Sequence, residues 1–204
     1  AQFRPEKDHP LQLQSLYELR EILGDDFDNV TLVLCGSCRN AGDSTRVADL
    51  RDLSKHLSLE NNVEFKVNLT YEELLEELEG AYLGVHTMLD EHFGISVVEQ
   101  MAAGLIVVAH LLGFAGGAPC AAGRFVGPPR GGGPLLDIIE TSEGSRLGFL
   151  ATTPEEYAYV IKFVLTCGDE EVNEIRERAR ASVDRFSSKK FQDEFLRAID
   201  PLFK

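Results

Sequence analysis

The chain has 204 residues, with 20 Lys and Arg against 34 Asp and Glu, a net charge of −14 and a pI near 4.7. Apolar residues make up 44% and charged residues 26%, the usual globular mix, which excludes wholesale disorder. The acidic balance argues against a nucleic-acid partner or broad adhesion to an anionic bilayer, both of which need concentrated basic charge.

The longest apolar stretch, Leu105 to Phe114, is interrupted by His110 and falls short of the ~20 residues that span a bilayer. No leader pattern opens the chain, which does not begin with Met and is expected to be a piece of a longer protein. Cys35 and Cys38 have C-x-x-C spacing, while Cys120 and Cys167 lie far off. A structural zinc site needs two such hooks, so reduced thiols and no metal are expected.

In chain order, Pro10 begins a helix whose Leu11, Leu13, Leu16, Leu19 and Leu23 recur at helical spacing up to Gly24. Val30 to Cys35 is a continuous β-prone run that reads as a strand buried on both faces. Asp43 is expected to cap a helix bearing Val47, Leu50, Leu53 and Leu57, and Val63 to Val67 forms a second strand. Thr70 and Glu73 have capping-box spacing ahead of Leu74, Leu75 and Leu78. The acidic run that follows, Glu72 to Glu79, is a solvated helix face.

A strand near Tyr82–Thr87, a helix near Gly94–Ala103 and a strand at Leu105–Ala109 come next. Residues 111–133, rich in Gly, Ala and Pro without a period, read as an atypical linker-like insertion. Pro154 opens a helix to about Thr166, and helices near Glu170–Arg185 and Ser187–Ile199 close the chain.

Repeated strand–helix alternation predicts an α/β fold: a Rossmann-like parallel sheet with helices on both faces. The expected organisation is a Rossmann-like ligand-binding unit over residues 1–153 and C-terminal helices over 154–204 packing on it. Ligands of such sheets sit beyond the carboxyl ends of the strands. That draws attention to Gly36–Asn40, Asn68–Thr70 with Leu69 at its centre, Met88–Gly94 and His110. Neither G-x-G-x-x-G nor G-x-x-x-x-G-K-[ST] occurs, so dehydrogenase and P-loop readings lose their main support.

The chemistry gathers in Met88 to Gly104. Glu91 lies in the strand-to-helix loop and Glu99 one to two turns inside the helix, with Phe93 and Gly94 between them. The helix mouth presents unpaired N–H groups and is a natural seat for phosphate. Two carboxylates repel a phosphate but accept hydrogen bonds from sugar hydroxyls on either side of it. Sugar, diphosphate and second sugar in that order make a nucleotide-sugar.

E-x7-E followed by Met101-Ala-Ala-Gly104 and a buried strand resembles the donor-binding half of a retaining GT-B glycosyltransferase. Further segments are similar to the α-1,2-mannosyltransferases of the endoplasmic-reticulum dolichol pathway. They are Gln2–His9, Cys38–Asn40, Val63–Lys66, His86–Met88, Glu91–Gly94, Ala103–Gly104, Pro134–Ile138 and Arg180–Phe186.

The resemblance implies a donor, GDP-mannose, and a lipid-linked oligosaccharide acceptor reached through segments beyond this chain. It also implies the cytosolic face of the endoplasmic-reticulum membrane and no bound metal. It places Glu99 on the ribose, Glu91 on the transferred mannose, and the amides of Phe93, Gly94 and Ile95 on the diphosphate or sugar. Arg4 and Lys7 would neutralise the leaving diphosphate, although Gln2 stands where many relatives carry Arg. Another nucleotide-sugar donor, a non-enzymatic binding domain and a non-functional fragment are the alternatives.

Overall fold

The computed structural model describes residues 1–111, 138–139 and 146–203. Residues 112–133 of the 111–133 insertion and the Pro134–Asp137 stretch therefore lie outside the described residues.

The first helix, α1, spans His9–Leu23 and ends at Gly24, whose φ of 59° is a conformation that favours glycine. Strand β1 (Leu32–Gly36) leads into α2 (Ala41–His56), and β2 (Val63–Val67) into α3 (Tyr71–Gly80). Strand β3 (Leu83–His86), α4 (Ile95–Ala103) and β4 (Ile106–His110) follow. After the undescribed residues come β5 (Phe149–Ala151), α5 (Pro154–Thr166), α6 (Asp169–Ser182) and α7 (Ser188–Ile199).

All described strand pairings are parallel, but they fall into two sheets: β1 with β2, and β3–β4–β5. The N-terminal residues run beside the end of β1, the Ala1 amino group donating to the Cys35 carbonyl at 2.7 Å and Phe3 N–H to the Ser37 carbonyl at 3.2 Å. A short 3-10 turn, Pro5–Lys7, then carries the chain across to the end of β3.

Three apolar clusters hold these layers. Leu13, Leu16 and Leu19 of α1 meet Leu34 of β1 and Val47 and Leu50 of α2. Ile106 and Val108 face Tyr157, Val160 and Val164 of α5, with Val172 and Ile175 of α6. Val107 and Ala109, pointing the opposite way from the same strand, meet Val97, Val98 and Met101 of α4. β4 is thus buried at every position, as a parallel strand covered on both faces should be. α1 packs most extensively on α5, residues far apart in sequence.

Several local expectations change. β1, a strand of a two-stranded sheet, is fully buried only at Leu34 and half-buried elsewhere, so it lacks the cover on both faces that was expected. Asn40, not Asp43, caps α2: its side chain accepts from the Asp43 N–H at 3.0 Å, while the Asp43 carboxylate accepts from Arg39 N–H and Arg39 Nε. Both capping boxes are complete, Thr70 with Glu73 and Thr153 with Glu156. β5 is three residues long and carries no periodic signal that sequence reading could use. Of the C-terminal helices, α5 and α6 bury apolar side chains, whereas α7 contributes no buried residue and leaves Phe191 and Phe195 exposed.

Candidate functional site

Within each sheet the parallel strands put their carboxyl ends on one side, so Gly36 and Val67 end together, as do His86 and His110, and residues 3–7 run from the first pair of strand ends to β3 of the second sheet. Loops at these ends bring together a carboxylate, an imidazole and an ammonium. Glu91 Oε2 lies 3.0 Å from His86 Nε2 and 3.9 Å from Lys7 Nζ. Glu91 Oε1 accepts from the backbone N–H of His92 at 3.0 Å and of Phe93 at 3.2 Å. The Lys7 ammonium also lies 3.0 Å from the thioether of Met88.

The charge states follow from these neighbours. His86 is 5% exposed, and burial lowers its pKa to about 4 against the opposing pull of Glu91. The ring is therefore neutral near pH 7, and with an ionised carboxylate as partner it must donate from Nε2. Desolvation pushes the Glu91 carboxyl upward, yet the Phe93 N–H and the Lys7 charge outweigh it and hold the pKa below its usual value. Behind this pair the Tyr157 hydroxyl donates to the His86 carbonyl at 3.0 Å, and burial raises the pKa of that phenol well above its usual value.

The helix mouth has the expected form. Gly94 precedes α4 at φ 89°, a left-handed conformation that a side chain would strain, and its carbonyl accepts from Val97 and Val98. The amides of Ile95 and Ser96, in the first turn, have no intrahelical partner. The Phe93 amide differs from expectation: Glu91 of the same loop occupies it. Phe93 and Ile95 expose their side chains beside this mouth, the Phe93 ring resting edge-on against Phe186 at 5.7 Å.

The other candidates are dispersed around these strand ends. Glu99 is exposed at the fifth position of α4, roughly 6 Å further along the axis than Ile95, where its charge is felt by the Ala1 amino group. Arg4 pairs with Glu6 at 2.7 Å and donates to Gln2 at 3.1 Å. Gly36 is covered on its Cα face by the Ala1 carbonyl and the Phe3 ring. Leu69 is half-buried between Asn68, which has φ 58° and accepts from the Cys38 N–H, and the Thr70 cap. The structure therefore joins Lys7 and Glu91 directly, sets Phe93, Gly94 and Ile95 next to them, and leaves Arg4 and Glu99 apart.

Thr87, Gln12 and Tyr157 are the polar residues of this region that sequence reasoning missed. The available signal was Gln12 itself, an amide placed between Leu11 and Leu13 of a leucine-rich helix. Among the described residues no cluster of three or more His, Cys, Asp or Glu could hold a metal ion, and no helix is long and apolar enough to cross a membrane.

Solved structures share this architecture. Anabaena HepE in complex with UDP is similar with a TM-score of 0.73 and 21% identity, covering 98% of this chain and 47% of that one. Sucrose-phosphate synthase from Thermosynechococcus elongatus is similar with a TM-score of 0.71 and 19% identity, covering 100% of this chain and 44% of that one. Among curated proteins, the human GDP-Man:Man(3)GlcNAc(2)-PP-Dol alpha-1,2-mannosyltransferase is 43% identical over 205 residues, all of this chain and 38% of the relative. Its Dictyostelium discoideum counterpart is 41% identical, over 99% of this chain and 36% of the relative. The chain thus spans little more than a third of the length of the curated relatives it matches. The family model for glycosyl transferases group 1 matches residues 1–117, the stretch that holds Lys7, Glu91 and the α4 mouth, and the chain belongs to that family.

Proposed function

We propose that the chain is the donor-binding portion of a retaining mannosyltransferase. The donor is GDP-mannose and the acceptor a dolichol-diphosphate oligosaccharide, with an α-1,2 linkage formed at the cytosolic face of the endoplasmic-reticulum membrane. The observation that carries the reading is the Lys7–Glu91–His86 cluster beside the open first turn of α4. The identity of 41–43% to mannosyltransferases of that description supports the choice of donor and acceptor.

In this reading Glu91 accepts hydrogen bonds from mannose hydroxyls, and neutral His86 holds its carboxylate in place. The Ile95 and Ser96 amides and Lys7 meet the diphosphate, and Glu99 takes the ribose. The C1–O bond to the diphosphate breaks as the acceptor oxygen bonds to C1 on the same face, and the acceptor proton passes to the departing phosphate oxygen. Lys7 stabilises the charge that develops there, a role in which a preorganised cation acts strongly. Arg4 joins it only by releasing Glu6.

Calorimetric titration of the intact protein with GDP, UDP, ADP and GDP-mannose tests the reading. GDP and GDP-mannose are expected to bind. Glu99→Ala should weaken both by about tenfold, the effect of one lost charge-assisted contact. Glu91→Gln should weaken GDP-mannose but not GDP. Absence of heat with every nucleotide, or equal response of GDP and GDP-mannose to Glu91→Gln, refutes it.

A further inference from the structure

The edge that carries the candidate site contains a second polar assembly, buried behind the ligand-facing groups. Thr87 is 1% exposed, and its hydroxyl is used twice. Oγ1 donates to the Lys7 carbonyl at 2.7 Å and accepts from Gln12 Nε2 at 2.8 Å. A hydroxyl has one proton to give, so this orientation is fixed by its two partners. Gln12 is itself buried on α1, where an unpaired amide would be costly.

The residues on either side of Thr87 reach the same two charged groups. His86 donates to Glu91, and the Met88 thioether receives the Lys7 ammonium. The tripeptide His86-Thr87-Met88 therefore touches the carboxylate, the backbone of the cation and the tip of the cation. Lys7 stays 3.9 Å from Glu91 Oε2, beyond a hydrogen bond, with a weak sulfur acceptor as its nearer partner. Such an ammonium surrenders little when a phosphate oxygen arrives.

We propose that Gln12 and Thr87 are positioning residues that set the height of Lys7 above the strand edge, and so fix where the second phosphate of a nucleoside diphosphate is met. This rests on the nucleotide-sugar reading above. Neither side chain touches the donor: α1 holds Gln12, Gln12 orients Thr87, and Thr87 holds the Lys7 turn.

The test compares GDP with GMP, which lacks the phosphate that Lys7 would meet. Both are titrated into the intact protein and into Thr87→Val, Thr87→Ser, Lys7→Ala and the Thr87→Val/Lys7→Ala double variant, with a thermal melt of each. Valine keeps the shape of threonine and removes the hydroxyl. Thr87→Val is expected to lower GDP affinity about tenfold and GMP affinity less than about twofold. Thr87→Ser should restore GDP binding, and Thr87→Val should add nothing once Lys7 is alanine. Should the valine variant not fold, Gln12→Met breaks the same relay from the α1 side with the same expected loss.

A lowered melting temperature with an unchanged GDP-to-GMP ratio would show a purely structural role and overturn the proposal. So would a full effect of Thr87→Val in the Lys7→Ala background. Failure of the unmodified protein to bind either nucleotide overturns the nucleotide-sugar reading along with it, an outcome distinct from both.

Discussion

Lowering the pH from 7.5 to 5 is expected to destabilise the fold through two buried histidines. His86 and His9 each have a pKa lowered from 6.5 to about 4, both chiefly by burial. His86 is faced by Glu91, Lys7, His110 and the amino terminus, and His9 by the amino terminus, Arg46 and Lys7. Because the folded pKa is the lower one, the unfolded chain binds more protons between the two values. Stability is then complete above pH 6.5 and is lost as the pH falls toward 4. At pH 5, 1.5 units below the unfolded value, each histidine costs about 2 kcal/mol at 1.36 kcal/mol per unit.

The pair therefore removes about 4 kcal/mol, a large part of the 5–15 kcal/mol that holds a typical domain together. His110, also lowered by burial, acts in the same direction. Urea midpoints at pH 7.5, 6.5, 5.5 and 5 give the loss, and His86→Gln and His9→Gln should each reduce it by about half. Titration of the imidazoles by NMR supplies the independent check. A His86 signal that titrates near pH 6.5 in the folded protein, or a loss left intact by both substitutions, refutes the reasoning.

Ile106→Ala removes a fully buried side chain from the start of β4 and should cost about 3 kcal/mol in urea unfolding. Tyr157→Phe deletes the buried hydroxyl that donates to the His86 carbonyl and should cost about 1 kcal/mol by the same measurement. A neutral outcome there would mean that the β3 end is held without that hydrogen bond. Glu91→Gln should lower the affinity for GDP-mannose while leaving GDP unchanged, as set out above.

The amino-acid sequence by itself determined the alternation of strands and helices, the Thr70–Glu73 capping box and the glycine that opens α4. Each rests on contacts within a few residues: a Thr70 hydroxyl needs only the Glu73 N–H three positions on, and Gly94 needs only its own φ. The place of Glu91 in the loop just ahead of the helix mouth was also legible, whereas its role on the transferred mannose came only from the resemblance. The cap of α2 was misplaced by three residues, since Asn40 and Asp43 are both good caps and only the Arg39 pairing decides which one faces the helix. β5 escaped notice because three residues show no period, and its place comes from the β4 edge it pairs with.

What tertiary structure alone decided is which charges meet. Sequence reading favoured Lys7 over the offset Arg4 without showing what either meets; in the fold Glu6 captures Arg4, while the turn held by Thr87 delivers Lys7 to Glu91, 84 positions further along the chain. Which face of α1 covers α5, and that Gln12 rather than a leucine meets Thr87, were likewise fixed by packing. The physical reason is distance along the chain: local rules act over a helical turn, whereas a site assembled from an N-terminal turn and a strand end 80 residues later exists only once the sheet has placed them side by side.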